Sequence, residues 1–202
     1  MGIKNVVFDI GNVLVNWEPY RIIHLIFPEV EAEEFYKEMR PIWIDLNLGK
    51  LTEQEAINKY AEQFDIDADK MTSFMNEVKK QQTPIIGSLE LLQKLDKSGI
   101  KLYSITDNIK EIIQYHLKNS DFPRYFKDII ISADIGVLKP DSKIYQYLLD
   151  KHALEPSECV FIDDLIVNVE GAISAGMYSF QFTNMDACEQ QLIALGVELR
   201  QL

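Results

Sequence analysis

The sequence is poor in cysteine, histidine and basic residues, and each shortage excludes a class of protein. Its two cysteines, Cys159 and Cys188, do not form a C-x-x-C pair, so neither a disulfide framework nor a cysteine-built zinc site is expected. We interpret both as ordinary buried thiols in a reducing compartment. Three histidines, His24, His116 and His152, are scattered singly, which argues against a histidine-built metal site.

The deficit of basic residues makes the chain acidic. The sum of aspartates and glutamates is 32 against 20 lysines and arginines, which gives a formal net charge of −12 and a pI near 4.7. Nucleic acids and anionic membranes are bound by basic surfaces, so neither is an expected partner. The sequence also contains no signal-peptide pattern and no apolar run of membrane-spanning length. We therefore expect a cytoplasmic protein that is a monomer or a weak homodimer.

What the chain does contain is a regular alternation of strands and helices. Hydrophobic residues make up 47% of the 202 residues, enough for one core domain with a smaller insertion. Short runs rich in β-branched and aromatic residues predict five strands. They are Val6–Phe8, Ile100–Thr106, Asp128–Asp134, Cys159–Asp164 and Tyr178–Phe182. Helical patterns between them predict an α/β fold: a Rossmann-like parallel sheet flanked by helices.

One long stretch after the first strand is helical throughout. Apolar residues recur at helical spacing between Tyr20 and Gln82, and no strand-like run interrupts them. Thr52 followed by Glu55 forms a capping box that opens one of these helices. We therefore predict an α/β core domain over 1–16 and 83–202, with an all-helical cap subdomain inserted over 17–82.

The polar residues of the core fall at the ends of the predicted strands. In a parallel sheet the carboxyl ends of the strands share one edge, so these side chains are expected to converge in one crevice. Taken singly, each is most simply a turn, a helix cap or a solvated loop residue; together they are hard to explain that way. They are Asp9, Thr106, Asp107, Asn108, Lys139, Asp163 and Asp164.

This set of residue types favours phosphoryl chemistry. Three carboxylates repel one another unless a cation lies among them, and oxygen ligands favour magnesium. A lysine and a threonine hydroxyl beside that metal can receive the oxygens of a phosphoryl group. Aspartate serves as a covalent nucleophile toward phosphoryl groups, which makes Asp9 the candidate nucleophile.

Four segments in the same order resemble the motifs of the haloacid dehalogenase-like hydrolases. FDIGNVL resembles the first motif of that family, SITDN the second, GVLKPDSKIY the third and FIDDLIVNVEGAISAGM the fourth. Order and spacing both agree, from about residue 3 to residue 182. The resemblance implies a phosphatase that hydrolyses a small phosphate ester, with the helical cap closing over the site and selecting substrate.

The resemblance also implies a role for each site residue. Asp9 forms an aspartyl-phosphate, while Thr106 and Lys139 hold the phosphate and screen its charge. Mg²⁺ is bound by Asp9, the backbone carbonyl of Gly11 and Asp164. Asp163 acts through a bound water. Asn168 supports the acidic loop, and the remaining residues expected around the phosphate are Gly11, Asn12, Asp107 and Asn108.

One position departs from the common pattern of the family. Most of its phosphatases carry a second aspartate two residues after the nucleophile, as general acid and base, and here that position is Gly11. General acid–base catalysis is typically worth ~10²–10⁴-fold in rate. Its loss predicts slower hydrolysis, a preference for good leaving groups, or a cap residue that supplies the proton instead. The GNV form resembles a bacterial branch that includes sugar-phosphate phosphatases related to glucose-1-phosphate phosphatase. That branch works without the second aspartate.

Two other functions remain open at this stage. A haloacid dehalogenase uses the same aspartate against carbon and needs no metal, but the Asp163–Asp164 pair argues against it. A weakly active or non-catalytic phosphate-binding protein would also explain Gly11.

In the cap, Trp17, His24, Arg40 and Trp43 are candidate substrate contacts. For each of them a packing or surface role is the simpler interpretation.

Overall fold

The computed structural model describes residues 2–200 and contains a parallel sheet with helices around it. The strands are β1 (Asn5–Phe8), β2 (Lys101–Thr106), β3 (Phe126–Ile131), β4 (Cys159–Asp163) and β5 (Tyr178–Gln181). The helices are α1 (Pro19–Ile26), α2 (Ala32–Asn47), α3 (Glu53–Phe64), α4 (Ala68–Gln81), α5 (Ser88–Lys97), α6 (Lys110–Asn119), α7 (Ser132–Ile135), α8 (Ser142–His152), α9 (Ile166–Ser174) and α10 (Met185–Ala194). Among the described residues, none of these helices combines the length and the apolarity needed to cross a membrane.

The five strands form one sheet in the order β3-β2-β1-β4-β5, and every neighbouring pair is parallel. The first strand is therefore central, with Val7 level with Tyr103 on one side and Phe161 on the other. The predicted α/β parallel sheet is confirmed. Four of the five predicted strands differ from the observed ones by a single residue at one end.

The prediction for the third strand was wrong at both ends. The sequence predicted Asp128–Asp134, but β3 begins at Phe126, which pairs with Leu102, and ends at Ile131. Residues 132–135 form the short helix α7, closed by a hydrogen bond from the Gly136 amide to the Ser132 carbonyl. Gly136 adopts φ 69°, a left-handed conformation that glycine accommodates without strain. Residues 132–134 leave the sheet because the Ser132 carbonyl finds its hydrogen-bond donor within this turn.

Helices cover both faces of the sheet, which explains why β1 is apolar at nearly every position. Val6 and Phe8 belong to a cluster with side chains of α5 and α10, whereas Val7 joins a second cluster with α8 and α9 on the opposite face. A strand buried on both faces reads as a continuous apolar run. Asp9 follows directly and is the first polar position beyond the sheet.

Helices α1–α4 form the helical cap, which has its own apolar core. The cluster contains Phe27, Tyr60 and Met71 and extends to Ile109 and Ile112 beside and within α6, so the cap packs directly onto the α/β part. The predicted capping box is present: Thr52 caps α3, and the Glu55 carboxylate accepts from the Thr52 amide at 2.8 Å. The division into domains at residues 17 and 83 stays a prediction.

The two connections between the cap and the sheet run side by side. The Asn16 amide donates to the Thr83 carbonyl at 2.8 Å, and the Asn16 side chain donates to the same carbonyl and to the Thr83 hydroxyl at 3.1 Å each. The Ile85 amide donates to the Leu14 carbonyl at 2.9 Å. These bonds fix the cap at the edge of the sheet where β1 ends.

Candidate active site

The predicted site residues converge at one edge of the sheet. Asp9 follows β1, Thr106 ends β2 and Asp163 ends β4, so the parallel arrangement brings all three strand ends together. Lys139, in the loop between α7 and α8, reaches the same edge. The crevice beyond the carboxyl ends of the strands is where open α/β sheets bind ligands.

Lys139 is the central cation of this edge. Its ammonium lies 2.9 Å from Asp9 Oδ1 and 2.7 Å from Asp163 Oδ2, and its side chain is 1% exposed. Burial opposes a charge on this lysine, but the carboxylates of Asp9, Asp163 and Asp107 outweigh it and raise the pKa of Lys139. The ammonium is therefore favoured over the neutral amine and is held against two carboxylates.

Opposing influences act on the pKa of Asp9. Burial raises the pKa of Asp9 to about 7, and the neighbouring charge of Asp163 acts in the same direction, whereas Lys139 lowers it. Its Oδ1 atom accepts hydrogen bonds from the Ile10 amide at 2.7 Å and is paired with Lys139. Both contacts engage the same oxygen, which leaves Oδ2 for a ligand.

Asp163 is engaged by the protein itself. Its Oδ1 accepts from the Leu165 amide at 2.8 Å and from the Asn168 amide group at 3.0 Å, and its Oδ2 accepts from Lys139. Asn168 is positioned in turn by Tyr145, whose hydroxyl donates to the Asn168 carbonyl at 2.8 Å. Asp163 thus positions Lys139 and the turn into α9, and Asn168 supports it.

The carboxylates form a group that a metal ion fits. Asp9, Asp163 and Asp164 each offer an oxygen, and these oxygens lie within 4.8 Å of one another. Lys139 offsets only one of the three charges. The Gly11 carbonyl accepts no hydrogen bond from the described backbone and so remains available as a further oxygen ligand. Hard oxygen donors of this kind suit magnesium. Burial is the main cause that raises the pKa of Asp164.

Asn12 links the acidic group to the start of the cap. Its side-chain nitrogen donates to Asp164 Oδ2 at 3.2 Å, and its side-chain oxygen accepts from the Trp17 amide at 3.1 Å. Asn12 adopts φ 54°, a left-handed conformation that asparagine tolerates better than most residues. The asparagine of the GNV sequence therefore orients Asp164 and fixes the chain that enters the cap.

The residues after β2 line the other side of the edge. Thr106 is buried, and Asp107 Oδ1 accepts from the Lys139 amide at 3.0 Å. The Asn108 amide donates to the Ser132 hydroxyl at 3.0 Å. Burial raises the pKa of Asp107. Asp107 therefore anchors the loop that carries Lys139.

Gly11 provides no proton-transfer group, but there is space around it. The nearest atom to a Cβ placed there is Trp17 Cβ at 3.8 Å, an ordinary van der Waals contact. The surrounding atoms therefore leave room for a Cβ at this position.

A cavity of about 500 Å³ lies between this edge and the cap. Of the predicted cap residues, Trp17, Arg40 and Trp43 line it, whereas His24 is not among the described residues around it. Trp17 and Trp43 are stacked with ring centroids 5.7 Å apart. The site residues lining the cavity are Asp9, Gly11, Asn12, Thr106, Asp107, Asn108, Lys139, Asp164 and Asn168. The structure thus brings together all of the predicted core residues, with Asp163 directly behind them.

Several cavity residues were missed by sequence reasoning. They are Tyr36, Ile44, Asn47, Gln82, Leu138, Pro140, Leu165 and Val167. From the sequence alone, most of these residues are interpreted as packing positions of helices or as loop residues. Only the fold of the cap over the sheet brings them to the cavity. The sequence offers one weak indication for Asn47, because a polar residue near the end of a helix, shortly before Gly49, is a possible site residue.

Two related proteins illustrate the range of similar sequences. Drimenol cyclase drtB of Aspergillus calidoustus is 28% identical over 193 residues, which cover 94% of this chain but 36% of that protein. Pyrimidine 5'-nucleotidase YjjG of Escherichia coli (strain K12) is 25% identical over 184 residues, which cover 84% of this chain and 81% of that protein. The chain thus spans about a third of the first relative and most of the second.

The fold and the family are shown by two further comparisons. The HAD family enzyme bt-2542 from Bacteroides thetaiotaomicron, solved in complex with magnesium and inorganic phosphate, superposes with a TM-score of 0.77. The match covers 91% of this chain and 96% of that one at 21% identity. The family model for haloacid dehalogenase-like hydrolases matches residues 6–182. The chain therefore belongs to the haloacid dehalogenase-like hydrolase family, and it is a hydrolase.

Proposed function

We propose that this protein is a magnesium-dependent phosphatase that hydrolyses a small phosphomonoester through an aspartyl-phosphate on Asp9. The observation that carries the proposal is the pairing of Asp9 Oδ1 with buried Lys139, 2.9 Å away, while Oδ2 stays available beside an acidic group and a cavity. The relative from Escherichia coli is named a nucleotidase, and the Bacteroides neighbour holds magnesium and phosphate. Both names agree with phosphomonoester chemistry.

The proposed reaction has two displacements at phosphorus. In the first, Asp9 Oδ2 forms a bond to phosphorus and the bond from phosphorus to the leaving-group oxygen breaks. In the second, water attacks the phosphorus of the aspartyl-phosphate, which releases inorganic phosphate and regenerates the Asp9 carboxylate. The sum is hydrolysis of the ester to an alcohol and phosphate.

The lysine and the neighbouring polar groups prepare this reaction. Lys139 and the Thr106 hydroxyl bind phosphoryl oxygens, and the lysine offsets their negative charge. Asp163 holds the ammonium in place at 2.7 Å, so that its position does not depend on the substrate. Asp9, Asp164 and the Gly11 carbonyl would hold Mg²⁺, which supplies further charge neutralisation to the phosphoryl group when bound.

The site has no evident side chain that could donate a proton to the leaving group. Gly11 has no side chain, and Asp163 is occupied by Lys139, Asn168 and the Leu165 amide. A leaving group that departs as a stable anion needs no proton, whereas a sugar or another alkyl alcohol does. We therefore expect aryl phosphates to be turned over without acid catalysis and alkyl phosphates to be turned over more slowly, unless the substrate or the cap supplies the proton.

Removal of the metal is the first test. With p-nitrophenyl phosphate and Mg²⁺ the protein is expected to release phosphate, and EDTA is expected to reduce the rate by about 10²-fold or more. The reason is that three carboxylates and one lysine leave the site too negative to bind a phosphate dianion. Release of p-nitrophenol, followed by its absorbance, is the measurement.

Re-addition of excess Mg²⁺ must restore the rate, which controls for loss of protein during chelation. An undiminished rate in EDTA contradicts metal dependence. Chloride release from 2-chloropropionate in EDTA, without phosphate release, would instead identify a dehalogenase, which needs no metal.

A further inference from the structure

Gln82 presents an unused hydrogen-bond donor to the cavity. It directly follows α4, lines the cavity, and is 7% exposed. Its side-chain oxygen lies 2.9 Å from His116 Nε2, whereas its side-chain nitrogen has no hydrogen-bond partner among residues 2–200. That nitrogen is not one of the completely enclosed unpaired atoms, which belong to Asn47, Glu53 and Ser104, so it stays accessible from the cavity. A buried donor without a partner at a ligand cavity points to a partner on the ligand.

His116 sets which end of the Gln82 amide faces the cavity. The ring is buried, and its Nδ1 lies 3.0 Å from the Ser120 hydroxyl. Burial lowers the pKa of His116 to about 4, so the ring is neutral at neutral pH and carries a single N–H. With that hydrogen on Nε2, the ring donates to the Gln82 oxygen and accepts from Ser120. The opposite orientation would turn the amide oxygen toward carboxylates and phosphoryl oxygens, which repel it.

The segment that carries Gln82 runs beside the turn that contains Gly11. Gly11 and Val15 form an isolated parallel bridge, and Val15 forms an antiparallel one with Pro84. Gln82 lies two residues before Pro84, and both Gln82 and Gly11 line the cavity. Gln82 therefore enters the cavity on the side of the turn in which the common acid–base aspartate of the family is missing.

The geometry of the proposed reaction gives this donor a target. Displacement at phosphorus is in line, so the leaving oxygen lies on the side of phosphorus opposite Asp9 Oδ2. The phosphoryl oxygens are bound at the strand ends, and the leaving group therefore extends into the cavity that Gln82 lines. When the bond from phosphorus to this oxygen breaks, both electrons stay on the oxygen. A fixed amide N–H stabilises the charge that develops there.

From these contacts we infer that Gln82 is a catalytic residue whose side-chain amide donates a hydrogen bond to the leaving-group oxygen, and that His116 and Ser120 are positioning residues that hold the amide in this orientation. The inference rests on the proposed phosphatase function. No proton leaves Gln82: after the bond to phosphorus has broken, the leaving oxygen takes its proton from water. A fixed neutral donor thus partly compensates for the missing acid, and it helps poor leaving groups most.

The test compares two aryl phosphates in Gln82→Met and Gln82→Leu. Phenyl phosphate and p-nitrophenyl phosphate are similar in size, but phenoxide is the more basic leaving group and gains more from a hydrogen bond. The measured quantity is kcat/KM, which covers the steps up to departure of the leaving group, so slow hydrolysis of the aspartyl-phosphate does not mask the effect. It is expected to fall by about 10²-fold for phenyl phosphate and by less than about fivefold for p-nitrophenyl phosphate.

His116→Phe tests the positioning role. Phenylalanine keeps the ring contact with Phe122, whose centroid lies 5.2 Å away, but it cannot hold the Gln82 oxygen. The ratio of the two kcat/KM values is expected to shift as in Gln82→Met, by about tenfold, and no further in the double variant than in Gln82→Met alone. This ratio does not depend on the fraction of folded protein. Gln54→Met is the matched control and is expected to leave the ratio unchanged, since Gln54 is exposed on α3 and bonds to Asn58.

The outcomes separate this inference from the proposed function. If the wild-type protein releases no phosphate from p-nitrophenyl phosphate, the phosphatase proposal fails and the inference fails with it. If it does release phosphate, an equal loss for both substrates in Gln82→Met and Gln82→Leu overturns the catalytic role of Gln82. Wild-type turnover of p-nitrophenyl phosphate without any turnover of phenyl phosphate overturns it as well. An unchanged ratio in His116→Phe overturns the positioning role of His116.

Discussion

Asp9→Asn is expected to reduce phosphate release from p-nitrophenyl phosphate by a factor on the order of 10⁴ or more, the scale on which loss of a catalytic nucleophile acts. The amide keeps the size of the carboxylate, so the cavity is unchanged. It lacks the charge and the nucleophilic oxygen, so no covalent bond to phosphorus can form. Initial rates over an extended time course measure the residual activity.

The fold is expected to survive this change. Burial raises the pKa of Asp9 to about 7, so the charged carboxylate costs more in the folded protein than in the unfolded chain. A neutral amide removes that penalty, and Lys139 retains Asp163 as its partner. Asp121→Asn, at an exposed aspartate paired with Arg124, is the control and is expected to keep full activity. Residual turnover of Asp9→Asn above about one hundredth of wild type would contradict a nucleophilic role, since that role predicts a 10⁴-fold loss.

Lys139→Met is expected to eliminate measurable turnover and also to lower the free energy of unfolding by about 3–5 kcal/mol at pH 8, the usual effect of removing one partner from a buried ion pair. The methionine fills a similar volume but leaves Asp9 and Asp163 facing each other without a cation. The ammonium of Lys139 lies within 2.9 Å of both carboxylates in the native protein. Urea unfolding followed by circular dichroism measures the change.

The destabilisation by Lys139→Met depends on pH in a defined direction. Without the lysine the pKa of Asp9, which burial already raises to about 7, rises further in the folded state, while in the unfolded state it stays near the ordinary aspartate value of about 3.9. Folding then favours the protonated form of Asp9, so stability is lost as pH rises above the unfolded value and is regained on acidification. The difference between variant and wild type is expected to be smaller at pH 5.5 than at pH 8.

Lys110→Met is the matched control for this prediction. Lys110 is an exposed lysine paired with Asp134 at 2.8 Å, and such surface pairs contribute about 0–1 kcal/mol. An equal loss of stability in the two variants, or a Lys139→Met variant that is most stable at high pH, would contradict the view that Lys139 neutralises the acidic group.

The sheet and its functional edge could be predicted because both depend on local patterns. Short apolar runs defined the strands to within one residue in most cases, and their alternation with helices required parallel pairing. Parallel pairing alone then placed Asp9, Thr106 and Asp163 together, whatever the details of the loops. The capping box at Thr52 is equally local, and it too is present in the structure.

The features that sequence reasoning missed depend on contacts between distant segments. Ser132 was assigned to a strand because it follows three consecutive isoleucines, but its hydroxyl joins Asn47 and Asn108, which are 85 and 24 residues away. Asn47 reaches the cavity only because the cap folds over the sheet. No periodicity or propensity of the chain contains that information.

The roles of two acidic residues also became sharper in three dimensions. The sequence placed Asp107 and Asp163 near the phosphate or a bound water. In the structure Asp107 accepts from the Lys139 amide and Asp163 from its ammonium, so both hold Lys139 in position. The sequence identified them as neighbours of the site, but only their hydrogen bonds show which residue each one supports.

Detection of a phosphoryl group on Asp9 during turnover tests the central claim most directly. The protein is mixed with p-nitrophenyl phosphate and Mg²⁺, quenched in acid within the steady state, digested and mapped by mass spectrometry. Because Gly11 provides no base for the attacking water, we expect the proposed intermediate to be hydrolysed slowly and to accumulate. We predict a phosphoryl group on the peptide that contains Asp9, removable by hydroxylamine as an acyl phosphate is. Steady release of phosphate with no such modification, or with the phosphoryl group on another residue, would contradict the account.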